Sequence, residues 1–204
     1  MTTFIFVPGL KYRVIGTTPQ REDGIWNTVT DLTKLKREIT QLQRKNAQLI
    51  AQLNHKIPSQ PYLVVDTSGN RLYLKSGSRI LREAVCSTGS YILLQAPTGK
   101  RWIFYTPRGL FRVLGKLKAP VWTKPDWVFV EEGRPIPPKN APERYEEGVL
   151  GEYALSFGNG YLIHGTLYKR LLGVPVTHGC IRLGDEDLRV VYKKLHIGSK
   201  IFIY

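Results

Sequence analysis

Two different spacings of apolar residues divide the chain into a helical part and a strand-rich part. Residues 25–57 contain no glycine or proline, and their apolar residues recur every three and four positions. This spacing is typical of an amphipathic helix. From residue 60 onward, short runs rich in branched and aromatic residues are separated by turn residues, which is typical of strands. The pattern predicts a tail over residues 1–24, a helical stalk over 25–57 and a mainly β domain over 60–204.

The helical part carries a heptad repeat. With Leu32 at position a, three heptads up to Leu53 are apolar at every a and d position except Asn46. A left-handed coiled coil has this pattern, and a single Asn at a sets the register in parallel dimers. The sequence therefore predicts a homodimer through residues 25–56. The alternative is a single amphipathic helix packed on the rest of the chain, which Ile50 at position e favours because it widens the apolar stripe.

Turn residues divide the second part into short elements. The run Thr-Ser-Gly-Asn at residues 67–70 lies between two apolar runs and predicts a hairpin. Acidic residues at 185–187 and basic residues at 193–194 match the two ends of a helix dipole and predict one short helix. The proline-rich stretch 120–142, with two tryptophans, predicts a loop that covers a binding groove. Further strands are expected within residues 62–66, 71–74, 79–87, 106–114, 153–157, 160–164 and 201–204.

The net charge narrows the choice of partners. Thirty basic residues against sixteen acidic ones give +14, which would attract the protein to nucleic acid, an anionic membrane or an acidic cell-wall polymer. The sequence contains no recognised nucleic-acid-binding module, so we expect no nucleic acid partner. Two cysteines are too few for a disulfide scaffold or a four-thiolate zinc site.

The N-terminal sequence bears on location. No stretch reaches the roughly 18 apolar residues that span a bilayer. The apolar opening, residues 1–7, lacks the basic region and cleavage site of a secretory signal. Either the protein is cytosolic, or the sequence begins downstream of an export segment or membrane anchor.

The candidate chemistry lies in two short motifs, His-Gly-Thr at residues 164–166 and Thr-His-Gly-Cys-Ile-Arg at residues 177–182. A cysteine thiol becomes a strong nucleophile when a neighbouring imidazole takes its proton. Glycines beside both histidines let backbone amides approach a reacting carbonyl. Two alternatives remain open. Cys180 could be an inert buried thiol, or His164, His178 and Cys180 could bind zinc, with His196 or an acid as fourth ligand.

The two motifs, together with residues 87–89, 106–109 and 150–155, resemble the L,D-transpeptidase family of bacterial peptidoglycan enzymes over residues 62–204. The resemblance implies a β-sandwich or barrel catalytic domain with few short helices, which needs no cofactor or metal and works in the periplasm or cell wall. In such enzymes a cysteine attacks the carbonyl of the third stem-peptide residue and releases the terminal D-alanine. The acyl group then passes to an acceptor amine. Carbapenems resemble the substrate of this family.

The resemblance assigns roles to five residues of this sequence. Cys180 would be the nucleophile and His164 the imidazole that carries its proton. The carbonyl of Gly165 would orient that imidazole. His178 and Gly179 would shape the pocket, and the amides of Gly179 and Cys180 would hold the oxyanion. An L,D-carboxypeptidase, which uses water as acceptor, and a non-catalytic wall-binding relative are the alternatives.

Substrate contacts are also expected near the motifs. Arg182 could bind a stem-peptide carboxylate through two hydrogen bonds, because a guanidinium matches the geometry of a carboxylate. The expected substrate-binding residues are Arg182, Thr177, Tyr161, Trp122 and Tyr168. Two features depart from the family pattern: the spacer between His164 and Thr177 is short, and no export signal is visible.

Overall fold

A computed structural model describes the backbone of residues 23–204 and the side chains of residues 31–53 and 56–204. The chain divides after Leu53 into two compact units. The helices are α1 (Asp23–Lys56), α2 (Asp126–Glu131) and α3 (Asp185–Lys194), with single 3-10 turns at Pro142–Arg144 and Lys169–Leu171. The strands are β1 (Tyr62–Asp66), β2 (Arg71–Ser76), β3 (Arg79–Ser87), β4 (Leu93–Gln95), β5 (Arg101–Ile103), β6 (Gly109–Arg112), β7 (Gly115–Lys118), β8 (Trp122–Thr123), β9 (Tyr145–Glu146), β10 (Tyr153–Gly158), β11 (Tyr161–His164), β12 (Ile181–Leu183) and β13 (Lys200–Ile203).

Within the described residues, the first unit consists of the helix α1 up to Leu53. The 34 residues of the whole helix give a length of about 50 Å. The apolar residues of the heptad repeat between Leu32 and Leu53 are 47–62% exposed. The predicted tail lies outside the described residues except for its last two positions, and the predicted domain boundaries remain predictions. Among the described residues, no helix combines the length and the apolar composition needed to cross a membrane.

The second unit is mainly β with few helices, which confirms the predicted fold class. Nine strands form one sheet in the order β6-β13-β1-β2-β3-β12-β11-β10-β7. Two neighbouring pairs, β1–β13 and β11–β12, are parallel, and the other pairs are antiparallel. The edge strands β6 and β7 are joined by only two residues, Val113 and Leu114, so the sheet must curl to bring its edges together. Backbone hydrogen bonds from Val113 to Ser199 and from Leu114 to Ser156 fix this closure.

The core lies inside the curled sheet, covered by α3. Alternate residues of the central strands are fully buried, as on any strand with one face in the core. Leu188 and Val191 of α3 are buried in this core. As the sequence predicted, acidic residues occupy the first turn of this helix and basic residues its last turn, where each charge is stabilised by the helix dipole. Cys86 lies in the same core, where burial raises the pKa of its thiol to about 12. It is a packing residue of this core.

The stretch predicted as a loop over residues 120–142 contains regular structure. It carries strand β8 and helix α2, and it continues through a 3-10 turn to β9, which pairs with β8. Phe129 of α2 is fully buried, and the guanidinium of Arg144 lies over its ring at 5.3 Å. This small packed core explains why the segment holds a helix despite its prolines. The hairpin formed by β4 and β5 was also missed, because its residues lack strict alternation.

Candidate active site

Two adjacent parallel strands bring the sequence motifs together. β11 ends at His164, and β12 begins at Ile181, directly after Cys180. In this pair Ile163 lies opposite Ile181, and His164 lies opposite Arg182. Successive side chains of a strand point to opposite faces. The isoleucines therefore fill the core, while His164, Arg182 and Cys180 share the other face.

His164 is held in one tautomer by its own neighbour. Its ring is 5% exposed, and Nδ1 lies 2.6 Å from the carbonyl oxygen of Gly165. A carbonyl oxygen can only accept, so Nδ1 carries the proton and Nε2 is left as an acceptor. Burial and then the charge of Arg182 lower the pKa of His164 to about 4, against the opposing effect of the Gly165 hydrogen bond. The imidazole is therefore neutral at neutral pH.

Close packing of two glycines fixes the carbonyl that orients His164. The amide of Gly165 donates to the carbonyl of Leu150 at 2.8 Å. A Cβ on Gly165 would lie only 3.0 Å from Cα of Gly151. The loop before β10 is thus in backbone contact with the end of β11, and a larger residue at either glycine would separate them.

Cys180 is partly buried and forms no disulfide. Its Sγ accepts a hydrogen bond from the amide of Leu162 at 3.4 Å. Burial raises the pKa of the Cys180 thiol, and the Leu162 hydrogen bond and the charge of Arg182 only partly oppose this effect. The resting cleft therefore contains a neutral Cys180 thiol and a neutral His164 imidazole.

The turn before Cys180 is closed by the hydroxyl of Thr177. Its Oγ1 donates to the carbonyl of Cys180 at 2.6 Å and accepts the amide of Gly179 at 3.1 Å. Gly179 has φ +115°, and a Cβ there would lie 2.5 Å from Cε1 of Tyr161. Only glycine fits this position. The Gly179 amide is engaged within the turn, which differs from the expectation that it holds an oxyanion.

A second threonine supports the same turn from below. Thr106 Oγ1 donates to the carbonyl of Gly179 and accepts the amide of Gly89, both at 2.9 Å. The amide of Thr177 donates to the carbonyl of Thr88 at 2.9 Å. The segments around residues 88 and 106, which form part of the family resemblance noted in the sequence, therefore hold the turn before Cys180 in place.

His178 faces a different set of groups from His164. Its Nε2 lies 2.9 Å from Oε2 of Glu131. Its ring stacks on Trp127 with centroids 4.0 Å apart and meets Phe104 edge-on at 4.3 Å. Burial lowers the pKa of His178; the Glu131 carboxylate opposes this shift, and Arg182 adds to it.

These groups surround one cavity of about 300 Å³. It is lined by Trp102, Ile103, Phe104, Trp122, Pro125, Trp127, Leu150, Asn159, Gly160, Tyr161, His164, Thr177, His178, Cys180 and Arg182. Among these described lining residues there is one permanent cation and no carboxylate. The cavity is thus an aromatic-walled cleft suited to an anionic ligand.

Arg182 is the cation of the cleft. It is half-buried, and burial lowers its pKa, against the opposing effects of Cys180 and Tyr168. Within the part of the chain whose side chains are described, no carboxylate or carbonyl pairs with its guanidinium. A buried charge is costly unless it is paired, so this residue favours the binding of an anion.

Comparison with known proteins agrees with this geometry. The family model of the L,D-transpeptidase catalytic domain, YkuD, matches residues 60–203. The chain belongs to the L,D-transpeptidase family. The relatives it resembles include proteins named as probable or putative L,D-transpeptidases. YbiS of Escherichia coli is 32% identical over 93 residues, which cover 44% of this chain and 30% of YbiS. YqjB of Bacillus subtilis is 27% identical over 147 residues, covering 72% of this chain and 73% of YqjB.

The fold is also that of solved L,D-transpeptidases. The L,D-transpeptidase of Xylanimonas cellulosilytica superimposes with a TM-score of 0.53 and 20% identity, over 72% of this chain and 61% of that chain. At this identity the likeness concerns the fold. The chain spans less than a third of the length of YbiS.

Most residues expected in an L,D-transpeptidase site lie together. Cys180, His164, His178, Tyr161 and Trp122 line the cleft, together with Thr177 and Arg182. Gly165 and Gly179 contribute through their backbone. Tyr168 is different: it is 59% exposed and is not among the lining residues. It directly precedes the 3-10 turn Lys169–Leu171, and it is close enough to Arg182 to affect the pKa of that guanidinium.

Three residues around His178 were not among the expected site residues. Phe104 and Trp127 line the cleft and enclose the His178 ring, and Glu131, which is not a lining residue, binds that ring. The spacing of Trp127 and Glu131, four residues apart, is the signal that could have suggested one face of a short helix. The many prolines of the surrounding segment indicated a loop instead, because proline disfavours helix.

The zinc alternative has no support in the arrangement of side chains. Among the described residues, no group of three or more His, Cys, Asp or Glu side chains is placed to hold a metal ion.

Proposed function

We propose that this chain is a peptidoglycan L,D-transpeptidase in which Cys180 is the nucleophile and His164 its general base. One observation carries the proposal. The Cys180 thiol, the His164 imidazole in a fixed tautomer and the half-buried Arg182 line the same cleft. Membership of the L,D-transpeptidase family supports the same reaction.

The first half-reaction acylates the enzyme. Nε2 of His164 takes the thiol proton while Sγ of Cys180 bonds to the carbonyl carbon of the third stem-peptide residue. When the tetrahedral intermediate collapses, the C–N bond to the terminal D-alanine breaks. The imidazolium returns its proton to the leaving amine. The products are a thioester on Cys180 and free D-alanine.

The intermediate needs donors for its negative oxygen. A backbone amide is the usual donor. Since the Gly179 amide is engaged by Thr177, we assign this part to the amide of Cys180 itself. The rigid turn beneath it, held by Thr106, keeps that amide in place.

The second half-reaction releases the acyl group. An acceptor amine attacks the thioester carbonyl, His164 takes its proton, and the C–S bond breaks to return the thiol. A second stem peptide as acceptor gives a cross-link, and a protein amine gives attachment to the wall. Water in place of the amine would give an L,D-carboxypeptidase.

Substrate binding follows from the walls of the cleft. Arg182 is placed to pair with a stem-peptide carboxylate, and Trp122 and Tyr161 are placed to pack against the peptide. We propose no cofactor. The proposed substrate locates the protein in the periplasm or cell wall, and its charge of +14 suits an anionic wall polymer.

The second partner that we propose is another copy of the chain, through α1. The stripe of exposed apolar residues follows the a and d positions of a coiled coil. In a parallel dimer Asp31 at g would face Lys36 at the next e, a favourable pair. Replacing Leu42 and Leu49 by Lys should give a monomer on sedimentation, whereas Lys at Gln41 and Gln48, on the polar face, should leave a dimer. A monomeric parent chain would contradict this proposal.

Product analysis tests the reaction. The chain is incubated with a disaccharide tetrapeptide, and the products are separated and weighed by mass spectrometry. Free D-alanine with a cross-linked dimer indicates transpeptidation, and free D-alanine with a tripeptide indicates hydrolysis. Unchanged tetrapeptide would contradict the proposal and favour a wall-binding relative.

A further inference from the structure

Helix α2 contacts the ring of His178 through two side chains, Trp127 and Glu131. Trp127 and Glu131 are four residues apart, so they lie on the same side of this helix. Trp127 stacks on the His178 ring at 4.0 Å with an angle of 14° between the planes. Glu131 Oε2 lies 2.9 Å from Nε2 of the same ring. His178 lies two positions before Cys180, so these two contacts connect α2 to the turn that carries Cys180.

The remaining side of the ring is covered as well. Phe104 is buried and meets the His178 ring edge-on at 4.3 Å, with the planes 77° apart. Phe104 also contacts Trp127 at 5.2 Å. The imidazole is therefore held between two aromatic rings, and Glu131 sets its rotation within that slot.

Helix α2, which carries Trp127 and Glu131, is itself held in place by a buried arginine. Arg144 is 5% exposed, and its guanidinium donates to the carbonyl of Pro137 at 2.7 Å and to Asp126 at 2.8 Å. It also lies over the ring of Phe129 on α2. Because α2 is fixed in this way, the hydrogen bond from His178 to Glu131 joins two ordered parts of the fold.

We infer that Glu131 is a positioning residue of the proposed reaction, acting through His178 to hold the Trp127 wall of the cleft against the donor peptide. This inference rests on the proposed function. A carboxylate can only accept, so Nε2 of His178 carries a proton and is engaged. His178 is thus placed to support the cleft, and His164 to transfer protons. Loss of Glu131 should weaken donor binding and leave the chemical step nearly unchanged.

Acylation kinetics test the inference. The rate at which Cys180 is acylated is measured against the concentration of a disaccharide tetrapeptide. With Glu131→Ala, the half-saturating concentration should rise about tenfold, the effect of one hydrogen bond of about 1.4 kcal/mol. The maximal rate should stay within about twofold. Glu131→Gln keeps an acceptor oxygen and should restore most of the binding.

Glu132 provides the matched control, because this neighbouring carboxylate is exposed and pairs with Arg134 instead. Glu132→Ala should behave like the parent chain. An unchanged half-saturating concentration in Glu131→Ala would overturn the inference. So would a Glu131→Gln variant as impaired as Glu131→Ala, or a loss confined to the maximal rate.

A second readout needs no turnover. The titration of His178 is followed by NMR of its ring nitrogens in the parent chain and both alanine variants. The Glu131 carboxylate raises the pKa of His178, whereas burial and Arg182, unchanged in the variants, lower it. Glu131→Ala should therefore move the midpoint to lower pH, and Glu132→Ala should not. An identical midpoint in Glu131→Ala and in the parent chain would show that the hydrogen bond between Glu131 and His178 is absent in solution. A parent chain that titrates as expected but is never acylated would instead contradict the proposed function alone.

Discussion

The sulfur of Cys180 accepts a hydrogen bond from the backbone amide of Leu162, two residues before His164 on the same strand. The nucleophile and its proposed base are therefore positioned by one strand. Such preorganisation is what a proton transfer between two neutral groups requires.

The pH dependence of alkylation should reveal a neutral resting pair. Burial raises the pKa of the Cys180 thiol, and burial lowers the pKa of His164 to about 4. The rate of iodoacetamide alkylation at Cys180 should therefore rise about tenfold per pH unit from pH 6 to 8, because only the thiolate reacts. Peptide mass spectrometry would separate Cys180 from the buried Cys86. A plateau between pH 5 and 7 would indicate a preformed thiolate–imidazolium pair and contradict this account.

Acid stability should depend on His164. Its pKa is about 4 in the folded chain and about 6.5 when unfolded, so the unfolded chain binds the proton first as the pH falls. The stabilisation is therefore present above pH 6.5 and is lost as the pH falls to 4. Over this window the parent chain should lose roughly 3 kcal/mol more unfolding free energy than His164→Gln. Urea unfolding at several pH values measures the difference; parallel losses in both chains would refute it.

Gly179 should tolerate no side chain. Gly179→Ala would place Cβ 2.5 Å from Tyr161 at a positive φ. We expect a loss of about 2 kcal/mol or more in unfolding free energy and a large loss of acylation. Gly148→Ala is the control, since Gly148 also has a positive φ but faces open space. Equal effects of the two substitutions on acylation would mean that the contact with Tyr161 is unimportant.

Arg182 should contribute to binding of the donor peptide. Replacing it by Gln removes a charge-assisted hydrogen bond, and the half-saturating concentration of tetrapeptide should rise about ten- to a hundredfold. Arg189→Gln removes an exposed arginine that already pairs with Glu152, and should change binding little. Steady-state kinetics with tetrapeptide measure both. An Arg182→Gln variant that binds tetrapeptide as well as the parent chain does would show that Arg182 makes no contribution to donor binding.

Much of the fold could be predicted from local patterns. The hairpin around residues 67–70 and the helix after residue 184 carry their own turn and charge signals, and both are present. Turn and charge signals of this kind act over a few residues, which is why they can be read in a sequence. The residues around Cys180 and His164 were associated with each other by the family resemblance; in the fold the parallel strands β11 and β12 place His164 opposite Arg182, and Cys180 and His164 line one cleft.

Contacts between distant segments could not be predicted. Glu131 meets His178 across 47 positions, and its segment is dense in proline, so nothing local indicates a helix there. Tyr168 lies between the two motifs, yet its side chain is exposed and is not among the residues that line the cleft. The Gly179 amide was expected to be available, but the hydroxyl of Thr177 engages it. Each depends on tertiary packing, which overrides proximity in sequence.

The most direct test of the central claim is the intact mass of the protein after incubation with a carbapenem, and separately with a tetrapeptide. The parent chain should gain the mass of one acyl group, and Cys180→Ala should gain none. Peptide mapping should locate the adduct on Cys180. An unmodified parent chain, in its reduced and folded form, or equal labelling of Cys180→Ala, would contradict the assignment of Cys180 as the nucleophile.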